Sequence, residues 1–140
     1  MTASLQDVFA DTAFWVALVV KQDQHHARAQ DWSLRVTGRI TTTAAVLLET
    51  ANALARPAWR AHAVALFDRL LHRPEVQVMP LSPALWQHGW DFYRARADKG
   101  WSLTDCISFL VMQEAGLIDV LTTDDHFRQA GFRAVLLEEP

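Results

Sequence analysis

The chain has 140 residues and a mass of 15.8 kDa, is 51% hydrophobic and 21% charged, and sets 16 acids against 13 bases for a formal charge of −3. This length points to one domain over residues 1–140, and the apolar content to a packed core rather than a disordered chain. The acidic balance excludes nucleic-acid binding by global positive charge; the single Cys106 excludes an intrachain disulfide and Cys-based zinc or redox motifs; the longest apolar run, residues 13–20, is too short to span a membrane.

Residues 1–9 hold Asp7 and no basic start, so they do not read as a signal peptide, and a reducing cytoplasmic location is expected. Val8-Phe9-Ala10 is a short apolar run that predicts a buried strand ending at Asp11. Helices are predicted over 12–20 and 24–36, the second with Ala27, Trp32, Leu34 and Val36 as its apolar positions and Gly38 as its breaker. A β-branched strand follows over 39–43, then an Ala- and Leu-rich helix over 44–55 that stops before Pro57. An amphipathic helix over 59–72, a strand over 76–79 and a helix over 82–98, capped by Ser82 with Pro83 in the first turn, come next. The last predicted elements are a helix from Ser102 or Thr104 to Ala115 closed by Gly116, a strand over 120–123, a helical turn over 126–130 and a strand over 133–137. Short apolar strands alternating with helices predict an α/β fold with a central parallel sheet covered on both faces.

Ligand sites in such sheets lie beyond the carboxyl ends of the strands. Asp11 and Asp124 each directly follow a predicted strand, Asp105 opens the helix before the second of these strands, and Glu49 lies in the helix after the strand over 39–43. Each has an ordinary alternative: Asp11 and Asp105 as helix caps, Asp124 or Asp125 as turn residues, Glu49 in a salt bridge. Glu49 stands in a helix expected to be buried on most sides, on one polar stripe with Asn52 and Arg56. Taken together, carboxylates gathered without a Lys or Arg repel by roughly 4 kcal/mol per pair at ~4 Å and an effective dielectric of ~20. A divalent cation removes that cost, and an all-oxygen donor set suits Mg²⁺ or Mn²⁺ rather than zinc.

Four blocks carry a resemblance. Val8-Phe9-Ala10-Asp11-Thr12-Ala13-Phe14 is followed by Leu47-Leu48-Glu49-Thr50-Ala51-Asn52-Ala53-Leu54. Then come Trp101-Ser102-Leu103-Thr104-Asp105-Cys106-Ile107-Ser108-Phe109 and Leu121-Thr122-Thr123-Asp124-Asp125-His126-Phe127, the last closed by Ala130-Gly131-Phe132. In order and spacing they resemble a PIN domain, specifically the VapC-like toxin ribonucleases. The resemblance implies a three-layer α/β/α PIN-like fold and a Mg²⁺- or Mn²⁺-dependent endoribonuclease. It places Asp11, Glu49 and Asp105 at the three core acidic positions and Asp124 at the fourth, more variable one. Thr12 and Asn52 match supporting polar positions. It further implies an RNA substrate, a cognate antitoxin whose tail covers the site, and a homodimer. Asp125 makes the fourth acid ambiguous; Asp124 is favoured because it stands two residues before His126-Phe127, with Asp125 left to cap the short helix.

The adjacent pair His25-His26 reads as a solvated face, since neighbours on a helix point about 100° apart, and His126 as a structural residue held near Asp124. Cys106 points into the core and has no partner set for nucleophilic chemistry. Trp15, Trp59, Trp86, Trp90 and Trp101 read as core or interface residues rather than base-stacking platforms, with Trp86 and Trp90 lining a dimer or antitoxin groove. Arg56, Arg60, Arg69, Arg73, Arg94, Arg96 and Lys99 can form basic strips beside the acidic cleft. The alternatives to a nuclease are a non-catalytic PIN-fold module that binds RNA or protein, and a phosphohydrolase with Asp11 as nucleophile. The latter is disfavoured because position 13 is Ala and not a second Asp. Setting the four acids aside leaves 12 acids against 13 bases, so a metal-loaded surface need not repel RNA.

Overall fold

The computed structural model describes residues 3–140. The part of the leader reading that rests on residues 1 and 2 lies outside the described residues. Five strands, β1 (Val8–Ala10), β2 (Ile40–Thr43), β3 (Val76–Met79), β4 (Asp119–Leu121) and β5 (Arg133–Ala134), form one sheet in the order β3-β2-β1-β4-β5, every pair parallel. The helices are α1 (Thr12–Val19), α2 (His26–Ser33), α3 (Ala44–Ala53), α4 (Pro57–Leu70), α5 (Pro83–Ala95), α6 (Leu103–Ala115) and α7 (Asp125–Gln129). With this strand order, the right-handed rule for parallel crossovers assigns α1 to α4 to one face and α5 to α7 to the other. α1 touches α2, α3 and α4, α6 touches α5 and α7, and α3 meets α6 where the two sets of helices come together. This is the α/β architecture with a central parallel sheet expected from the sequence. No helix among the described residues is long and apolar enough to cross a membrane.

The connection order reverses between β1 and β4. The chain proceeds outward from β1 through β2 to β3 on one side, then crosses back to β4 and β5 on the other. A crevice therefore opens at the carboxyl ends of β1 and β4, where ligands bind in open α/β sheets. β1 is buried in full, as a central parallel strand must be, and this explains its unbroken apolar sequence. Two of the three buried threonines of β2 have hydroxyl partners: Thr42 donates to the Ala10 carbonyl at 2.9 Å, and Thr43 caps α3 by accepting from the Val46 amide at 3.0 Å.

Several boundaries differ from expectation for physical reasons. Pro57 does more than stop the preceding helix: it opens α4 from the first position, where its missing N–H costs nothing. α2 ends at Ser33, leaving Leu34 86% exposed, because the chain departs to pair Val36 with Leu5. β5 spans only two residues, after which 135–137 form a 3₁₀ turn. Its neighbour β4 ends at Leu121, and the Leu136 amide bonds the Thr122 carbonyl at 3.2 Å instead of continuing the ladder.

The core joins Phe9, Phe14, Trp15, Trp32, Phe109 and Phe127, all essentially inaccessible. Phe109 on α6 is its aromatic centre, with ring centroids 4.9 Å from Phe127 and 5.1 Å from Trp101. Helices α5 and α6 pack closely at Gly89, where a Cβ would come within 2.6 Å of Ile107 Cγ1. A Gly89→Val substitution is therefore expected to lower stability by about 1–3 kcal/mol in urea denaturation, through overpacking of this contact.

Candidate functional site

The crevice at the ends of β1 and β4 collects three of the four predicted acids. Asp11 leaves β1 and is 4% exposed. It occupies the cap position of α1 in extended geometry but makes no side-chain capping bond, so capping does not explain it. Its Oδ2 instead accepts from the buried Thr122 hydroxyl at 2.9 Å. Thr122 follows β4, and its oxygen also accepts from the Asp124 amide at 3.0 Å. One hydroxyl thus ties the first acid to the loop that carries the fourth. Replacing it with the isosteric Thr122→Val leaves a half-buried amide and a buried carboxylate without this partner. The expected cost is about 1–3 kcal/mol in thermal or chemical denaturation.

Asp105 is fixed by the start of α6. The Ser102 hydroxyl accepts from the Asp105 amide at 3.0 Å, and Asp105 Oδ2 accepts from the Ser102 amide at 3.1 Å, a reciprocal capping box. The capping alternative is therefore true of Asp105, yet the same Oδ2 also faces His126 Nδ1 at 3.1 Å. A carboxylate only accepts, so with Asp105 ionised this contact places the imidazole proton on Nδ1.

Asp124, and not Asp125, caps α7: its Oδ1 accepts from the His126 amide at 2.9 Å and lies 3.4 Å from His126 Nδ1. This corrects the assignment of capping to Asp125, which sits inside the first turn of α7. The cap has to be the last extended residue, and that is Asp124. Asp105, Asp124 and His126 each present one ligand atom within 4.8 Å of the others. His126 is therefore more than a structural neighbour of Asp124. The signal for it was its place two residues after that acid, together with a ring long enough to reach back to α6.

Electrostatics mark the same place. Burial pushes the Asp11 carboxyl up to about 7, with Asp105 and Asp124 adding repulsion and the Thr12 amide and Thr122 hydroxyl opposing it. Asp105 is likewise raised, first by burial and then by Asp124, with the Ser102 amide and His126 pulling down. Carboxylates held together at this energetic cost are candidates for a functional site. The Thr12 hydroxyl is buried beside Asp11 with no hydrogen-bond partner among the described residues. An oxygen-rich donor set, repelling carboxylates and an unpartnered hydroxyl all fit a hard divalent cation.

Glu49 is placed differently from expectation. It is exposed on α3, as are Leu48 and Asn52, so the burial argument for it does not hold. α3 packs its buried face through Ala45, Val46 and Thr50, and it ends at Ala53, which leaves Arg56 outside the supposed stripe. Glu49 forms no salt bridge among the described residues, and its helix lies against α6, which bears Asp105. Cys106 is buried and its thiol is pushed up to about 11, chiefly by burial and then by Asp105, which removes it as a nucleophile. Of the basic strips, Arg73 is engaged by Glu75 and Arg96 by Asp98, while Arg94 and Lys99 form no salt bridge among the described residues.

Comparison with known proteins gives the family and the fold. A family model described as PIN domain matches residues 8–133. The chain is 30% identical over 125 residues to the 23S rRNA-specific endonuclease VapC20 of two Mycobacterium tuberculosis strains, covering 89% of this chain and 95% of the relative. The crystal structure of M. tuberculosis VapC20, described as a Sarcin-Ricin loop cleaving toxin, superposes with a TM-score of 0.84 at 29% identity, over 91% of this chain and 98% of that one. VapBC2 from Rickettsia felis, bound to a promoter DNA fragment, shares the fold with a TM-score of 0.60 at 12% identity, over 89% and 93% of the two chains. The parallel sheet whose connection order reverses at β1 and β4 lies within residues 8–133, and the family model's match over that span, with the 30% identical relative, shows that the chain belongs to the PIN domain family.

Proposed function

We propose that this chain is a metal-dependent endoribonuclease, the toxin of a toxin–antitoxin pair, acting on ribosomal RNA. The observation that carries the reading is the convergence of Asp11, Asp105 and Asp124 at the β1–β4 crevice, two of them with raised carboxyl pKa values. The relationship to a 23S rRNA-specific endonuclease over most of both chains supports the substrate class, and that relative's description as a toxin supports an antitoxin partner. A homodimer belongs to the same reading and rests on family resemblance.

In this reading Asp11, Asp105 and Asp124 supply carboxylate oxygens to Mg²⁺ or Mn²⁺, with His126 within reach of the same position. Exposed Glu49 completes the acidic set from α3, and Thr12 and Asn52 are the polar support. When bound, the ion polarises the scissile phosphate and lowers the pKa of a water. The chain's own residues do the positioning. Ser102 and His126 orient Asp105, Thr122 orients Asp11, and the turn into α7 orients Asp124. Supports of this kind hold ligand oxygens in place.

Mn²⁺ titration into chelator-treated protein tests the reading. Wild type is expected to bind Mn²⁺ with proton release near pH 7, because the Asp11 proton must leave, and Asp105→Asn to bind at least ~10-fold more weakly. No Mn²⁺ binding by wild type, with RNA still bound, would favour a non-catalytic RNA-binding module.

A further inference from the structure

Helix α5 carries Trp86, Trp90 and Tyr93 on one face, at spacings of four and three residues. They remain 46%, 38% and 43% exposed, whereas Trp15, Trp32 and Trp101 are buried. Their rings form a near-parallel row: Trp86 and Trp90 have centroids 6.3 Å apart at 9°, and Trp90 and Tyr93 5.7 Å apart at 22°. Cations accompany the row. The Arg94 guanidinium lies 5.8 Å from the Trp90 ring centre, and Arg96 and Lys99 lie 4.9 Å and 5.8 Å from that of Trp101. Arg96 is held by Asp98, which leaves Arg94 and Lys99 without a carboxylate partner among the described residues.

An open cavity of about 710 Å³ runs between these groups, walled by Trp90, Tyr93, Arg94, Lys99, Trp101 and Ser102. Ser102 is the residue whose amide and hydroxyl hold Asp105. The cavity and the acidic crevice therefore share the turn that opens α6. Aromatic faces, unpaired cations and a hydrolytic centre at one end match what a single-stranded polyanion with stacking bases requires. The charges of Arg94 and Lys99, without a carboxylate partner among the described residues, favour an anionic occupant over an apolar helix.

We propose that the Trp86–Trp90–Tyr93 row with Arg94 and Lys99 is a base-stacking platform that holds unpaired RNA bases beside the scissile phosphate. This replaces the reading of Trp86 and Trp90 as a dimer or antitoxin groove, and it deepens the ribonuclease proposal, on which it rests for the identity of the ligand. The platform reads stacking and phosphate charge, so it selects unpaired over duplex RNA and is tolerant of base identity.

The test is fluorescence anisotropy in EDTA, so that affinity is read without cleavage, using a short labelled single-stranded RNA and the same sequence as a duplex. Wild type is expected to prefer the single strand. Trp86→Ala/Trp90→Ala is expected to weaken it by about 10-fold or more. Trp86→Phe/Trp90→Phe should restore most of the affinity, and Lys99→Ala should reduce the salt slope by about 1. Both tryptophans lie at the surface, so circular dichroism and melting should match wild type; if the alanine variant melts early, the phenylalanine variant and Lys99→Ala carry the test. Unchanged affinity in the alanine variant overturns the platform, as does equal binding of duplex and single strand. A wild-type dimer that the alanine substitutions convert to monomer while RNA affinity stays the same also overturns it and assigns the row to an interface between copies. Loss of RNA affinity in the alanine variant of a protein that cleaves no RNA would uphold the platform and refute the nuclease.

Discussion

Asp105→Asn is expected to abolish RNA cleavage, by at least ~100-fold, while the fold and its cooperative melting persist. The substitution removes charge and not shape. An Asn side-chain oxygen can still accept from the Ser102 amide, and the Ser102 hydroxyl still accepts from the residue 105 amide, so the start of α6 remains capped. What disappears is the negative oxygen aimed into the crevice beside Asp124 and His126. The same loss is expected for Asp11→Asn, which keeps an acceptor for the Thr122 hydroxyl. A gel assay on ribosomal RNA measures both, with circular dichroism as the control for folding. Cleavage at the wild-type rate by either variant would break the site assignment.

The second large effect concerns stability. Asp11→Asn is expected to raise the melting temperature of the metal-free protein at pH 8, by an amount equivalent to roughly 2–4 kcal/mol. The Asp11 carboxyl is pushed up to about 7 by burial and by its acidic neighbours. A raised carboxyl binds its proton more tightly in the folded chain than in the unfolded one. Above about pH 7 the folded protein carries the buried charge and is penalised; below that the folded carboxyl is protonated, and the penalty fades as pH falls toward the ordinary value of 3.8. The advantage of Asp11→Asn should therefore shrink from pH 8 to pH 5. Saturating Mn²⁺ should reverse the ranking at pH 8, because ligand binding stabilises wild type and not the variant. A pH-independent difference between the two proteins would show that Asp11 is not charged at this cost.

Much of the fold is legible in the sequence because its signals are local. Val8-Phe9-Ala10 has the unbroken apolar character of a strand buried on both faces, Ser82-Pro83 marks the start of α5, and Gly116, at φ 69°, closes α6 as glycine does at left-handed positions. The ends that differ are set by partners distant in sequence. β5 is short because β4 ends early, and α2 is short because Val36 pairs with Leu5. The site divides in the same way. Asp11 and Asp124 follow from one rule about strand ends in parallel sheets. The apolar sequence around Glu49 predicts burial, but this Ala- and Leu-rich helix lies at the edge of the core and leaves Glu49 exposed. Thr122 and His126 stand in the same block as Asp124, but their partners Asp11 and Asp105 are far off in sequence. Their roles appear only when β1, β4 and α6 meet, and the link from Asp11 to Thr122 spans 111 positions. The tryptophans show the limit of composition: a buried Trp32 and an exposed Trp90 read alike until the face of each helix is known.

In the proposed reaction this acidic crevice hydrolyses RNA with a divalent ion. Its most direct test is incubation of the purified chain with 23S ribosomal RNA in EDTA, and then with Mg²⁺ or Mn²⁺ restored. Discrete cleavage products are expected only with the ion, and none from Asp105→Asn under the same conditions. Equal cleavage in EDTA, or products from Asp105→Asn at the wild-type rate, would contradict it.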